Sequence, residues 1–119
     1  MKQFIFLLAF ILLIGCSGNK KEATPQQQSE PQITEVDVTV PTVVCDMCEG
    51  TITKAVEGLE GVKGIDVDLD KKTAHVKYVA AQTNIETIEI AIADAGYDAN
   101  NRKRNSDAYT ALPACCKND

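Results

Sequence analysis

Five cysteines carry the most distinctive chemistry in this chain, and four of them fall into two close pairs. Cys45 and Cys48 are three positions apart, whereas Cys115 and Cys116 are adjacent near the C-terminus. Two thiols at a spacing of three can converge on one ion when the first lies in a loop and the second lies in the first turn of a helix. Because thiolate is a soft ligand, Cys45 and Cys48 are a candidate site for a soft metal ion.

The identity of the ion follows from the charge and the number of the sulfur donors. Backbone N–H groups at a helix N-terminus stabilise negative charge, so we expect lowered thiol pKa values for Cys48 and Cys45. Two thiolates suit Cu(I) or Hg(II), which accept low coordination numbers, whereas structural zinc takes four protein ligands. The sequence therefore predicts Cu(I) or Hg(II) as the bound ion, with Zn(II) a weaker candidate.

Hydrophobic periodicity predicts the elements that position these thiols. Alternating apolar and polar residues indicate strands, and apolar residues three or four positions apart indicate helices. The pattern predicts a strand over 34–40, a helix over 47–58, strands over 62–69 and 74–78, a helix over 83–96 and a short strand from 97. Thr83 and Glu86 fit a capping box at the start of the second helix. This order predicts an α+β fold, the ferredoxin-like βαββαβ sandwich, in which two helices cover one antiparallel sheet.

The N-terminus has the pattern of an export signal. Lys2 precedes an apolar run from Phe4 to Ile14, and its about 11 residues are fewer than the roughly 20 that cross a bilayer. The run ends in Leu13-Ile14-Gly15-Cys16, which resembles the lipobox of bacterial lipoproteins. In that motif the cysteine is lipidated and becomes the first residue of the mature protein. We therefore expect residues 1–15 to be a lipoprotein signal peptide and Cys16 to carry the lipid.

The segment that follows the expected lipid has the composition of a tether. Residues 16–32 are rich in Lys, Glu, Gln, Ser and Pro, and such a segment cannot bury enough apolar surface to offset the entropy of ordering. We expect a flexible tether that holds the domain in the cell envelope, on the extracytoplasmic side of a membrane. The formal net charge of -5 disfavours a nucleic-acid partner.

The stretch from about Ile33 to Arg102 resembles the heavy-metal-associated domain of copper chaperones, metal-pumping ATPases and mercury-binding periplasmic proteins. The family signature is Gly-Met-x-Cys-x-x-Cys after the first strand, and residues 42–48 match it at both cysteines but have Thr42 and Val43 in place of Gly-Met. Further matching segments are Glu60-Gly61-Val62, Val67-Asp68-Leu69, Lys72 to Tyr78 and Ala91 to Ala99. The resemblance implies a metal-binding domain over 33–103, with Cys45 and Cys48 as ligands and Tyr97 beside the metal loop.

Three functions compete for the four thiols. The main hypothesis is an extracytoplasmic binding protein, not an enzyme, that captures or transfers Cu(I) or Hg(II) through Cys45 and Cys48. Its expected partners are the metal ion, the membrane through the lipid anchor, and a metal-transporting membrane protein. The enzyme alternative is a thiol–disulfide oxidoreductase, because Cys-x-x-Cys is also a redox motif and an exported compartment is oxidising. The structural alternative is that the four thiols form two disulfides that staple a small exported domain.

Residues 104–119 form a C-terminal tail for which the resemblance supplies no role. The adjacent thiols of Cys115 and Cys116 can bind a thiophilic ion, form a vicinal disulfide or stay free. Pro113 and Ala114 present the pair on a short tail that could reach the loop of Cys45. We therefore expect an accessory metal-binding role for Cys115 and Cys116.

Replacing Cys16 with Ala should release the protein from the membrane, because each buried methylene of an acyl chain contributes about 0.8 kcal/mol to anchoring. The measurement is partition between an aqueous and a detergent phase. Cys115→Ala is the control and should stay in the detergent phase. Complete retention of the Cys16→Ala variant in the detergent phase would show that lipid is not attached at this residue.

Overall fold

A three-stranded sheet forms the base of the domain. The computed structural model describes residues 30–117, and its strands are β1 (Ile33–Thr39), β2 (Val62–Asp68) and β3 (Thr73–Val79). All pairings are antiparallel and the strand order is β1-β3-β2, with Val76 opposite Val36 on one side and Ile65 on the other. Alternate side chains point to opposite faces of a strand, so the predicted period of two gives the sheet one apolar face.

Two helices cover that apolar face. Helix α1 (Asp46–Glu57) buries Cys48, Ile52 and Val56, which are four positions apart and lie on one side of the helix. Helix α2 (Ile85–Asp94) buries Ile88 and Ile92 in the same way. Helix α1 packs against both β2 and α2. The result is the α+β class that the sequence predicts, with the strand and helix order of a ferredoxin-like domain up to the end of α2.

The core joins the sheet, both helices and the C-terminal segment. Its buried members share one continuous cluster: Val38, Val40, Val43, Cys48, Ile52, Val56, Val67, Ala74, Val76, Tyr78, Ile88, Ile92, Tyr97, Ala99 and Cys116. Among residues 30–117, this cluster draws its members from β1 through the C-terminal turn. A fragment that begins at Glu30 is therefore expected to fold without the residues that precede it.

The prediction of a fourth strand from residue 97 is wrong, although this segment lies beside the sheet. From Tyr97 the described residues form only an isolated bridge between Ala99 and Arg102. The segment still lies along the edge of β1, because the Asn100 backbone N–H donates to the Thr39 oxygen at 2.8 Å. Residues 100–105 offer no large apolar side chain to bury, so the pairing stops after one bond.

The predicted cap of the second helix is displaced by one residue. The N-cap is Asn84, whose side-chain oxygen accepts from the Thr87 backbone N–H at 2.9 Å. Thr83 is 7 % exposed and its hydroxyl has no hydrogen-bond partner among the described residues. Asn is as good an N-cap as Ser or Thr, so the composition alone could not separate the two positions.

Two short elements follow at the C-terminus. Helix α3 (Ser106–Ala111) begins after Asn105, whose side chain accepts from the backbone N–H groups of Asp107 and Ala108. A single 3₁₀ turn (Ala114–Cys116) then contacts α1. Pro113 separates the two elements, as its lack of a backbone donor requires.

The outer face of the sheet is polar. His75 of β3 lies between two carboxylates of β1, with Nδ1 2.6 Å from Asp37 Oδ1 and Nε2 3.2 Å from Glu35 Oε2. The hydrogen bond with Asp37 raises the pKa of His75 above its usual value. This histidine faces away from the helices, since its neighbours Ala74 and Val76 are the buried ones.

The expected signal peptide, lipidated Cys16 and most of the tether lie outside the described residues. Within residues 30–117, every helix is too short or too polar to cross a membrane.

Replacing Ile52 with Ala should lower the free energy of unfolding by about 2–5 kcal/mol, because it removes buried methyl groups and leaves a cavity under α1. Denaturant unfolding of residues 30–119 measures this change. Ile90→Ala is the control, since Ile90 is 40 % exposed and its loss should cost less than about 1 kcal/mol. Equal losses for the two variants would contradict the described core.

Candidate metal centre

Cys45 and Cys48 meet at the N-terminus of α1. Cys45 is the N-cap residue and is half-buried, while Cys48 lies in the first turn and is fully buried. The backbone N–H groups of Cys48 and Glu49 both donate to the Cys45 oxygen, at 2.9 and 3.1 Å, and so fix the turn. The two Sγ atoms lie 3.2 Å apart. The spacing of three therefore brings both thiols to one point, as the sequence predicts.

The loop before α1, here called the metal loop (residues 40–45), is fixed by core packing and by hydrogen bonds with Lys72. Val43 is fully buried and fills space in the core beneath the loop. Lys72 lies in the turn between β2 and β3 and supports the loop: its ammonium donates to the Val43 oxygen at 2.5 Å, and its own backbone oxygen accepts from Val40 N–H at 2.8 Å. No local signal in the sequence reveals that this side chain supports the loop.

Thr42 ties the metal loop to the chain after α2. Its hydroxyl oxygen accepts a hydrogen bond from the Asp98 backbone N–H at 3.0 Å. This is the position where the family signature has glycine, which has no side chain to offer. The departure from the signature thus adds a contact that positions the segment carrying Tyr97.

The C-terminal thiols lie against the same point. The Sγ atom of Cys116 is 2.6 Å from that of Cys48 and 3.6 Å from that of Cys45, and the Sγ atom of Cys115 is 3.5 Å from that of Cys45. The ligand atoms of Cys45, Cys115 and Cys116 all lie within 4.8 Å of one another. We call Cys45, Cys48, Cys115 and Cys116 the four-sulfur cluster. All four are free thiols in the structure.

Burial divides the four-sulfur cluster into an inner and an outer part. Cys48 and Cys116 are 0 % and 1 % exposed, whereas Cys115 is exposed and Cys45 is half-buried. The thioether sulfur of Met47 lies 3.6 Å from Cys115 Sγ, and Met47 itself is 57 % exposed. An ion can therefore reach the cluster from the side of Cys45 and Cys115.

A set of specific contacts holds the C-terminal segment on the domain. Gly96 adopts a positive φ of +100°, and a Cβ there would lie 3.0 Å from the Tyr109 backbone nitrogen, so only glycine lets α3 approach this closely. Leu112 packs against the core, and within the segment the guanidinium of Arg104 lies 3.5 Å above the Tyr109 ring. The Asn105 backbone N–H also donates to the Ala93 oxygen at 2.8 Å. Residues 104–117 are thus packed against the domain.

Tyr97 lies beneath the inner sulfurs. Its side chain is fully buried, and its hydroxyl makes no hydrogen bond with any described residue. Burial and, next, the neighbouring thiols of Cys116 and Cys48 raise the pKa of Tyr97, so the phenol stays protonated. The group beside the sulfurs is consequently a neutral O–H donor that lacks an acceptor.

The thiols differ in their affinity for a proton. The hydrogen bond with the Cys48 thiol, followed by the Cys48 backbone N–H, lowers the pKa of Cys45 to about 7, which is the direction that the sequence predicts. Burial raises the pKa of Cys116 to about 12, and the nearby Cys45 thiol raises that of Cys115. Cys45 is therefore the most acidic of these three thiols and the one that reacts first at neutral pH.

The fold and the sulfur donors together define a class of protein. The domain is α+β and brings four thiols together at a helix N-terminus, with a thioether beside them. Such a set of sulfur ligands suits a soft metal ion. The family model described as "Heavy-metal-associated domain" matches residues 37–98, more than half of the chain. The chain belongs to that family and is a heavy-metal-binding protein. The match ends before Cys115 and Cys116.

Relatives and solved structures agree with this assignment. The chain is 44 % identical to the COP-associated protein of Helicobacter felis over 54 % of this chain and 96 % of the relative. It is 37 % identical to the mercuric transport protein periplasmic component of Pseudomonas aeruginosa over 52 % and 68 % of the two chains. Oxidized MerP from Ralstonia metallidurans superposes with a TM-score of 0.56 at 33 % identity, covering 58 % of this chain and 96 % of that one. A copper-binding domain of the P-type ATPase HMA7 superposes with a TM-score of 0.54 at 27 % identity, covering 56 % and 89 %.

Alkylation with iodoacetamide at pH 7 should modify Cys45 first and Cys116 last, because the pKa of Cys45 is lowered to about 7 and that of Cys116 is raised to about 12. Peptide mass spectrometry of reduced, metal-free protein across a pH series measures the rate at each thiol. The rate at Cys45 should rise with pH and level off above its pKa of about 7. Faster modification of Cys116 than of Cys45 at pH 7 would contradict the described burial.

Proposed function

We propose that this protein is a lipid-anchored, extracytoplasmic carrier that captures or passes on a soft metal ion, Cu(I) or Hg(II), through the thiolates of Cys45 and Cys48. The observation that carries the proposal is the 3.2 Å separation of the two Sγ atoms at the N-terminus of α1. The pKa of Cys45 is lowered to about 7 by its hydrogen bonds with the thiol and the backbone N–H of Cys48, which favours the thiolate that binds metal. One half-buried thiol faces the entry side and one fully buried thiol anchors the ion from within.

The choice of ion rests on the donors that surround the pair. The nearest potential ligands to Cys45 and Cys48 are the sulfurs of Cys115 and Cys116, with the Met47 thioether at the rim. Thiolate and thioether ligands select Cu(I) and Hg(II) over hard ions such as Mg²⁺. The carboxylate between the two ligands belongs to Asp46, which is exposed and free to remain in water. Structural Zn(II) takes four protein ligands, so it is the weaker candidate for the Cys45–Cys48 pair and would require all four thiols of the cluster.

The location outside the cytoplasm is supported by the sequence and by one group of relatives. The N-terminal pattern ending at Cys16 fits export with lipidation. The relative from Pseudomonas aeruginosa is named as a periplasmic component of mercuric transport. A metal-transporting membrane protein is the proposed partner, because the same fold occurs as a copper-binding domain of a P-type ATPase. Anchoring beside a membrane would place the metal loop within reach of such a transporter.

The second candidate function is thiol–disulfide exchange by the same two cysteines. The lowered pKa of Cys45 favours it, since thiolate is the attacking form. A binding role requires no turnover, whereas an oxidoreductase must cycle between dithiol and disulfide. Catalysed reduction of insulin by dithiothreitol, measured beside metal binding, separates the two functions.

The double substitution Cys45→Ser and Cys48→Ser in residues 30–119 should weaken Cu(I) and Hg(II) binding at least about 100-fold, because two of the soft ligands are replaced by poor ones. Competition against a chromophoric chelator under reducing conditions gives the affinity and a stoichiometry of one ion per chain for the unmodified protein. Asp46→Asn is the matched control in the same turn and should leave the affinity unchanged. Full-strength binding by the double variant would overturn the proposed function.

A further inference from the structure

The distances from Cys45 to the other sulfurs of the four-sulfur cluster are close to those between ligands of one ion. Metal–sulfur bonds of about 2.3 Å place the sulfurs of a tetrahedral site roughly 3.8 Å apart. The observed separations from Cys45 are 3.2 Å to Cys48, 3.5 Å to Cys115 and 3.6 Å to Cys116, whereas Cys48 and Cys116 lie 2.6 Å apart. The distances from Cys45 already approach those of a shared ion, and the side chains of Cys48 and Cys116 must move apart by about 1 Å to bind it together.

The C-terminal thiols are built into the domain. Cys116 is 1 % exposed and belongs to the same core cluster as Cys48. Packing at Gly96 and Leu112 and the Arg104–Tyr109 stacking fix the path of the chain before it reaches Cys116. A thiol brought into the core from about 70 residues away, 2.6 Å from a proposed ligand, has a defined place beside the ion.

The hydroxyl of Tyr97 is a buried donor beside the inner sulfurs. A buried hydroxyl without an acceptor costs free energy. Besides burial, the thiols of Cys116 and Cys48 raise the pKa of Tyr97 and the Thr51 hydroxyl lowers it, so these three groups surround the phenol. When these sulfurs bind a metal they lose their protons and become acceptors, which gives the Tyr97 O–H its missing partner.

We infer that Cys116 is a third ligand, so that Cys45, Cys48 and Cys116 hold one soft ion together while Cys115 serves as the outer ligand through which the ion enters and leaves. The C-terminal segment thus converts an open two-thiolate site into a closed site that retains its ion. Each thiol that binds the ion releases one proton to solvent, and the oxidation state of the metal does not change. This inference deepens the proposed function and depends on it.

Adjacent residues in this chain provide matched variants for the test. Cys116→Ala removes the inner ligand, and Cys115→Ala removes an exposed thiol one position away. Substituting residues that only hydrogen-bond metal ligands lowers metal affinity roughly 10- to 100-fold. Because Cys116→Ala removes a ligand itself, it should speed release of the ion at least about tenfold. Cys115→Ala should slow uptake and change retention several times less than Cys116→Ala.

The experiment loads residues 30–119 with Cu(I) or Hg(II) under reducing conditions and follows transfer to an excess of chelator. X-ray absorption of the unmodified, loaded protein counts the sulfur ligands without any substitution, so the test stands even where Cys116→Ala fails to fold. Three or four sulfurs, with faster release from Cys116→Ala, are expected. Two sulfurs, or release from Cys116→Ala as slow as from the unmodified protein, would overturn the inference. The double variant Cys45→Ser, Cys48→Ser separates the two proposals. If it loses metal binding while Cys116→Ala releases the ion as slowly as the unmodified protein, the proposed function stands and only the inference about Cys116 is overturned.

Discussion

The packing of α1 on the sheet determines where a metal can bind, because Cys48 is both a core residue and a thiol. Cys48, Ile52 and Val56 form one buried stripe, so the helix cannot rotate without exposing apolar surface. That stripe places the first turn of α1, and therefore both Sγ atoms of the Cys-x-x-Cys motif, at one edge of the domain. The stability of the fold and the geometry of the site depend on the same contacts.

Support for the site comes from parts of the chain that are distant in sequence. Lys72 binds the metal loop from the turn before β3, and the Asp98 backbone binds it through Thr42. The C-terminal segment brings Cys116 to Cys48 across 68 positions. Since each of these contacts comes from a different element, the thiols are positioned before any ion arrives. Such preorganisation reduces the ordering cost of binding.

The sequence was sufficient for the features that repeat locally. Periods of two and of about four predicted the strands and helices, and the spacing of Cys45 and Cys48 predicted that their thiols meet at the start of α1. Single long-range contacts leave no such pattern. Three features depend on how distant segments meet, and only the structure shows them: the support from Lys72, the buried hydroxyl of Tyr97 and the packing of α3 over Gly96. The predicted fourth strand failed because its polar composition gives the chain no apolar side chains to pair along β1.

The central claim is that one soft ion binds at the N-terminus of α1 between sulfurs from both ends of the domain. Anomalous diffraction from crystals of residues 30–119 loaded with Hg(II) tests it most directly, since the signal locates the ion without reference to a ligand assignment. We expect a single strong peak within bonding distance of the Sγ atoms of Cys45, Cys48 and Cys116. A peak beside Cys115 alone would contradict the proposed site. The same holds if the protein carries one ion per chain but no peak lies between Cys45 and Cys48.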